Sequence, residues 1–208
     1  MAKPRAPRDS REQVLRAAAS EFAARGYDAA RVDRIAAKAR VNKAMIYYHF
    51  GSKLELYVEV LRDMFRAVGS RARGLADSLD PPDQKLDSWV AMIVEEASAR
   101  PWFPPIMLRE LASGVPHFDE ETLGLMSLVV GAWGDIVAAG QKSGAFRRDA
   151  DPLLTHLTIM PAVLVFFIRE QAIASRGSKV RAPFAAPRSR QQFIQHMQHA
   201  VRGMVRKD

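Results

Sequence analysis

Wherever apolar residues cluster in this chain they recur every third or fourth position, and no stretch alternates apolar with polar residues in the way a half-buried strand requires. A repeat near 3.6 puts side chains on one face of a helix, whereas a repeat of two lines one face of a sheet. The sequence therefore predicts an all-α protein of about nine helices. With 48% of its 208 residues hydrophobic, the chain has enough apolar material for a real core.

Capping residues, glycines and prolines divide the chain into elements. Residues 1–8 (MAKPRAPR) form a short basic, Pro-rich arm that is expected to be disordered. Asp9 or Ser10, with Glu12 or Gln13 three residues on, predicts a helix start, and Gly26 predicts its end. Val14, Leu15, Ala18, Ala19 and Phe22 are its inner face. A short helix from Arg31 carries Val32, Ile35, Ala36 and Ala39, and a tight turn at Arg40-Val41 leads to Asn42 as N-cap of a third helix through Tyr48. Ser52 and Glu55 then make a capping box for a long helix to about Ser78. Asp80-Pro81-Pro82-Asp83 is the strongest boundary. Beyond it, helices are expected near 83–99, 102–113, 119–142, 152–175 and 189–206, with a basic Gly/Pro/Ser loop over 175–190. The domains predicted are the arm (1–8), an N-terminal helical unit (9–56, its linking helix running to about 78) and a body (81–208).

Charge is distributed unevenly. Residues 1–80 hold 16 Lys and Arg against 10 Asp and Glu, while residues 81–187 hold 10 against 12. A basic N-terminal part beside a slightly acidic middle suits contact with a polyanion at one end. The chain has no cysteine, which excludes disulfides and thiolate metal sites and fits a reducing cytoplasm. The first fifteen residues lack the apolar core of a secretory signal. The most apolar stretch, 153–168, falls short of the roughly 20 residues that span a bilayer, so a buried or interface helix is expected there and no membrane. No nucleophile–base pair, metal-ligand spacing or Gly-rich phosphate loop supports an enzyme, a metal or a cofactor. His196 and His199, three apart near the C-terminus, have no third ligand nearby in sequence and are expected on a partly buried helix face.

Short helix, tight turn, short helix within residues 31–50 is a helix-turn-helix. In that arrangement the first helix braces the second across the phosphate backbone, and the second offers its N-terminal residues to base edges in the major groove. The side chains expected at DNA are Arg31, Arg34, Asn42, Lys43, Ala44, Met45, Tyr47, Tyr48, His49 and Lys53. Lys43 can donate to guanine or to phosphate, and Ala44 is small enough to touch a thymine methyl. Tyr47, Tyr48 and His49 can donate to phosphates at the groove wall, although Tyr47 is equally suited to partial core burial. Lys53 lies in the first turn of the next helix, where backbone N–H groups favour an anion.

Residues 9–56 resemble the N-terminal domain of the TetR/AcrR family of regulators. The matching pieces are Ala18–Phe22 with Gly26-Tyr27, then Val32-Asp33-Arg34-Ile35-Ala36, then the run Val41 to Leu56 with Ile46-Tyr47-Tyr48-His49-Phe50 and Ser52-Lys53 at its centre. The resemblance implies a homodimeric repressor on a near-palindromic double-stranded operator, released when a small molecule enters the C-terminal body. It also implies that Lys43, Ala44, Tyr47 and Tyr48 face DNA, that Lys53 holds a phosphate, and that Ile46 and Phe50 are core. Two positions depart from the family. Arg40 stands where glycine is usual, at about 1–2 kcal/mol if it is held left-handed. Ala30-Arg31 stands where a Ser/Thr cap is usual, at ~1 kcal/mol unless Asp28 replaces it. An activator, or a regulator without a ligand, would carry the same head. A basic helical module for membranes or proteins is the reading from another class, and liposome binding without sequence preference on DNA would mark it.

For the body, an apolar effector pocket is expected among Trp89, Met92, Trp102, Phe103, Met107, His117, Met126, Trp133, His156 and Met160, with Glu95, Glu96, Arg109 and Glu110 as further polar candidates. Pro161 predicts a kink. The helix over 152–175 is apolar on nearly every side and needs cover all round. A four-helix interface with the last helix and their two copies in a partner subunit supplies it, through Leu157, Leu164, Phe167, Phe193, Met197, Val201 and Met204.

Overall fold

The computed structural model describes residues 7–176 and 189–206. Within them the chain folds as α1 (Pro7–Ala29), α2 (Val32–Ala39), α3 (Lys43–Phe50), α4 (Lys53–Asp77), α5 (Pro82–Ala99), α6 (Phe103–Ala112), α7 (Glu120–Ser143), α8 (Pro152–Arg176) and α9 (Arg190–Val205). The only extended pairing among the described residues is a single bridge between Phe146 and Arg206. Most of the arm (1–6) and of the basic loop (177–188) lies outside the described residues.

The first start differs from the sequence expectation. α1 begins at Pro7, so Asp9 and Ser10 lie inside it, and Ser10 Oγ meets His49 Nε2 at 3.1 Å. Gly26 interrupts the helix where its end is expected: it stands at φ 75°, ψ 170°, a conformation only glycine holds easily, and a short helical turn follows to Ala29.

Two apolar cores form, and α4 belongs to both. Val14, Ala18 and Phe22 of α1, Ile35 of α2, and Ile46 and Phe50 of α3 close on Leu56, Tyr57, Val60 and Leu61 from the first half of α4, with Ile106 of α6 joining them. The second half of α4 (Met64, Phe65, Val68, Ala72) enters the body core around Trp89 and Trp133, whose rings lie 5.3 Å apart. Crossing two cores with one 25-residue helix leaves no soft hinge between them. α4 packs along α7 in a seam edged by ion pairs: Arg62 with Asp119 and Glu121, Arg66 with Glu121, and Arg73 with Asp135.

Part of the expected interface lies inside the chain. Met197 and Val201 are buried in the protomer's own core, and α9 is tied to α5 by Arg202–Asp87, Arg206–Asp83 and a bond from Gln198 to the Asp87 carbonyl. Leu164 and Phe167 of α8 are likewise core, and Phe193 stacks on Phe166 at 4.0 Å. These residues are spent inside one chain, with Met204 only partly buried beside them. Leu154, Leu157, Pro161 and Val165 of α8, the second of them an expected interface residue, stay exposed as a stripe with no charge along it, with Leu153 and Thr158 beside them. Pro161 sits within α8 and the helix continues through it. By length and composition α7 and α8 are each apolar enough to cross a membrane, but both contribute to the body core, with 33% and 39% of their most apolar windows buried.

Candidate nucleic-acid interface

The head is built so that α3 stands proud of it. α2 ends on Arg40 at φ 54°, ψ 44°, whose N–H closes the helix on Ala36 and Ala37 carbonyls. Val41 N–H also returns to Ala36 O, so only two residues separate Arg40 from the start of α3. Asn42 Oδ1 then accepts from Ala44 N–H at 3.0 Å and satisfies one of the helix's open donors. Ile46 and Phe50 anchor α3 inward. Its opposite face carries Lys43, Ala44, Tyr47 and Tyr48, all exposed, with Tyr48 81% and Tyr47 43% in solvent. That places Tyr47 outside the core. Exposed tyrosines beside a lysine and an alanine, on a rigid helix, are suited to phosphate and base-edge contact.

The remaining expected contacts fall at different depths. Met45, Arg31 and Arg34 are exposed, with Arg34 3.9 Å from Glu21. Lys43 pairs with Asp33 across the turn at 2.8 Å, and this bond and field hold its ammonium above the usual lysine range. His49 is half-buried against Ser10 and α1. Lys53 is engaged within the fold: its Nζ donates to the Asp28 carbonyl at 3.0 Å and sits 4.6 Å from the centre of the Tyr27 ring. Asp28 does not cap α2, because Arg31 occupies the N-cap with no side-chain bond. Ser52 Oγ accepts from Glu55 N–H at the start of α4.

In the body, α4 to α8 enclose a cavity of about 260 Å³. Of the expected lining residues, Phe103, Met107, Met126, His156 and Met160 stand on its wall, with Glu96, Leu111, Leu153 and Leu157. Trp89, Met92 and Trp133 lie in the solid core, where the Trp133 N–H is tied to Thr155 and Pro152. Trp102 packs between the two cores near α1. Glu95 lies outside the cavity, paired with Arg71.

Arg109, Glu110 and His117 serve a junction that the sequence reading missed. Arg109 donates to the Ala23 carbonyl at 2.7 Å, three residues before the break at Gly26. Glu110, 3% exposed, accepts from Tyr57 Oη and pairs with His117 Nδ1, each at 2.8 Å. Burial and the adjacent Glu110 push the Tyr57 hydroxyl well above the usual phenol range, so it remains a donor. Tyr27 covers the group, 4.3 Å from the His117 ring and 5.2 Å from that of Tyr57. α6 thus touches the cavity through Met107 and Leu111 and the head through Arg109 and Glu110. Adjacent Arg-Glu on a helix gave no sequence signal of this, since such pairs are usually solvated. Among the described residues no three His, Asp or Glu side chains gather to hold a metal.

Residues 14–60 match the sequence profile described as "Bacterial regulatory proteins, tetR family", and residues 82–201 match "Tetracyclin repressor-like, C-terminal domain". The chain is 33% identical over 160 residues to the HTH-type transcriptional repressor NicS of Pseudomonas putida, covering 76% of this chain and 74% of that one. It is 30% identical to the HTH-type transcriptional repressor KstR2 of Mycolicibacterium smegmatis, covering 92% and 90%. Among solved structures, the ketosteroid transcriptional regulator KstR2 of Mycobacterium tuberculosis superimposes with a TM-score of 0.72 at 26% identity, covering 95% of each chain.

Proposed function

The chain belongs to the TetR family of bacterial transcriptional regulators, and from that premise we propose that it is a homodimeric repressor that a small apolar effector releases from a near-palindromic operator. It is a DNA-binding regulator and not an enzyme. The observation that carries the reading is the outer face of α3, where Lys43, Ala44, Tyr47 and Tyr48 stand clear of a helix pinned by Ile46 and Phe50. A soluble regulator of this kind works in the cytoplasm.

Effector control rests on the continuity of α6. A molecule in the cavity presses on Met107 and Leu111, and the same helix holds α1 through Arg109 and α4 through Glu110. A shift of α6 therefore moves the head, because packed elements shift as units and do not deform continuously. Dimerisation rests on the uncharged outer stripe of α8. An apolar stripe of that length in water calls for a partner, and a second copy gives the two-fold axis that a palindrome requires.

The reading is tested by selecting, from random duplexes, those that the purified protein retains at physiological salt. A two-fold symmetric consensus is expected, lost on Tyr48→Ala. Retention without a common sequence would overturn it.

A further inference from the structure

The polar inventory of the cavity wall is short. The wall is otherwise apolar, and its two polar residues differ in how they are satisfied. Glu96 has both carboxylate oxygens engaged, Oε1 by Arg71 at 2.6 Å and Oε2 by Arg100. It has no charge left to offer a ligand. His156 is 8% exposed, and its Nδ1 is buried without a hydrogen-bond partner among the described residues. Its nearest aromatic neighbour, Trp89, meets it edge to face at 6.5 Å. No hydrogen bond reaches either ring nitrogen of His156 among the described residues, so its imidazole is the polar side chain on this wall still open to a ligand's polar group.

From this inventory, and resting on the reading of the cavity as the effector site, we infer that the effector is an uncharged molecule with an apolar body and one hydrogen-bonding group, a hydroxyl or carbonyl, that meets His156. A carboxylate ligand would give up its hydration in a wall with no free cation, which is unfavourable. An ammonium would find only a glutamate held by two arginines. The volume, about 260 Å³, is at the small end for ligand sites and fits a compact body such as a substituted benzene ring. The half-exposed Leu111 and Leu153 give that body an apolar way in.

The test is calorimetric titration of the full chain at pH 7.5 with three matched probes: 4-butylphenol, butylbenzene and 4-butylbenzoate. Butylphenol is expected to bind, and butylbenzoate at least about tenfold more weakly. His156→Phe should weaken butylphenol by about five- to tenfold, the loss of one hydrogen bond, and leave butylbenzene within about twofold. His156→Gln, which keeps a hydrogen-bonding group, should restore most of the butylphenol affinity. Met160→Trp, which fills the cavity, should abolish binding of all three. Equal or tighter binding of butylbenzoate, or butylphenol binding indifferent to His156→Phe, would overturn the ligand class and leave the cavity as the effector site. Failure of all three probes on the wild-type chain would overturn both.

Discussion

Arg40 holds a left-handed backbone where a side chain costs about 1–2 kcal/mol relative to glycine, and it does so on the exposed surface of the head. No side-chain hydrogen bond or ion pair of Arg40 among the described residues offsets that cost, so Arg40→Gly is expected to raise unfolding stability by about 1 kcal/mol in urea titrations. If the guanidinium contributes at phosphate, the same variant binds DNA more weakly. A second residue-scale effect belongs to His156, whose burial pushes its pKa down to about 4 from an ordinary value of 6.5. A folded-state value below the unfolded one means that the unfolded chain binds the extra proton. Stability conferred by the neutral imidazole is therefore full above pH 6.5 and is lost as pH falls towards 4. Between about pH 7 and pH 5 this amounts to about 2 kcal/mol, and His156→Phe should flatten that part of the stability profile.

At the scale of elements, α6 is the link between the cavity and the head. Arg109→Ala removes the bond to Ala23 O but leaves α3 untouched. Operator affinity should stay within about threefold, while release by an effector-site ligand such as 4-butylphenol should weaken, as read in a fluorescence-polarisation displacement assay. How legible each element was follows from where its signal lies. α3 and α4 were placed almost to the residue because Asn42 and Ser52 are local caps, and local chemistry is visible in a one-dimensional string. Gly26 signalled the break correctly, because a positive φ is a local property of glycine. The junction of Arg109 with Ala23, and of Glu110 with Tyr57 and His117, joins residues up to 86 positions apart, and no periodicity reports such a meeting. α9 shows the limit of amphipathic patterning. Its stripe of Met197 and Val201 had to be buried, but the sequence did not say whether α5 or a second subunit would bury it.

For the whole molecule, the proposed dimer joins two reading heads through the outer face of α8. Leu154, 63% exposed, and Val165, 57% exposed, lie on that stripe and take no part in the protomer's core. Replacing both with glutamate should convert a dimer to monomers at micromolar concentration in sedimentation velocity, with helical content unchanged, because apposed charges have no hydration in such an interface. A monomer occupies one half-site at a time, so operator affinity should fall by at least about tenfold. The central claim, that α3 reads DNA, is tested most directly by titrating the selected operator with wild type and Lys43→Ala across a salt series. The account predicts weaker binding by about 1–3 kcal/mol per lost contact and a shallower dependence of log affinity on log salt, by about one ion for each half-site. Equal affinity and equal slope at every salt concentration would contradict it.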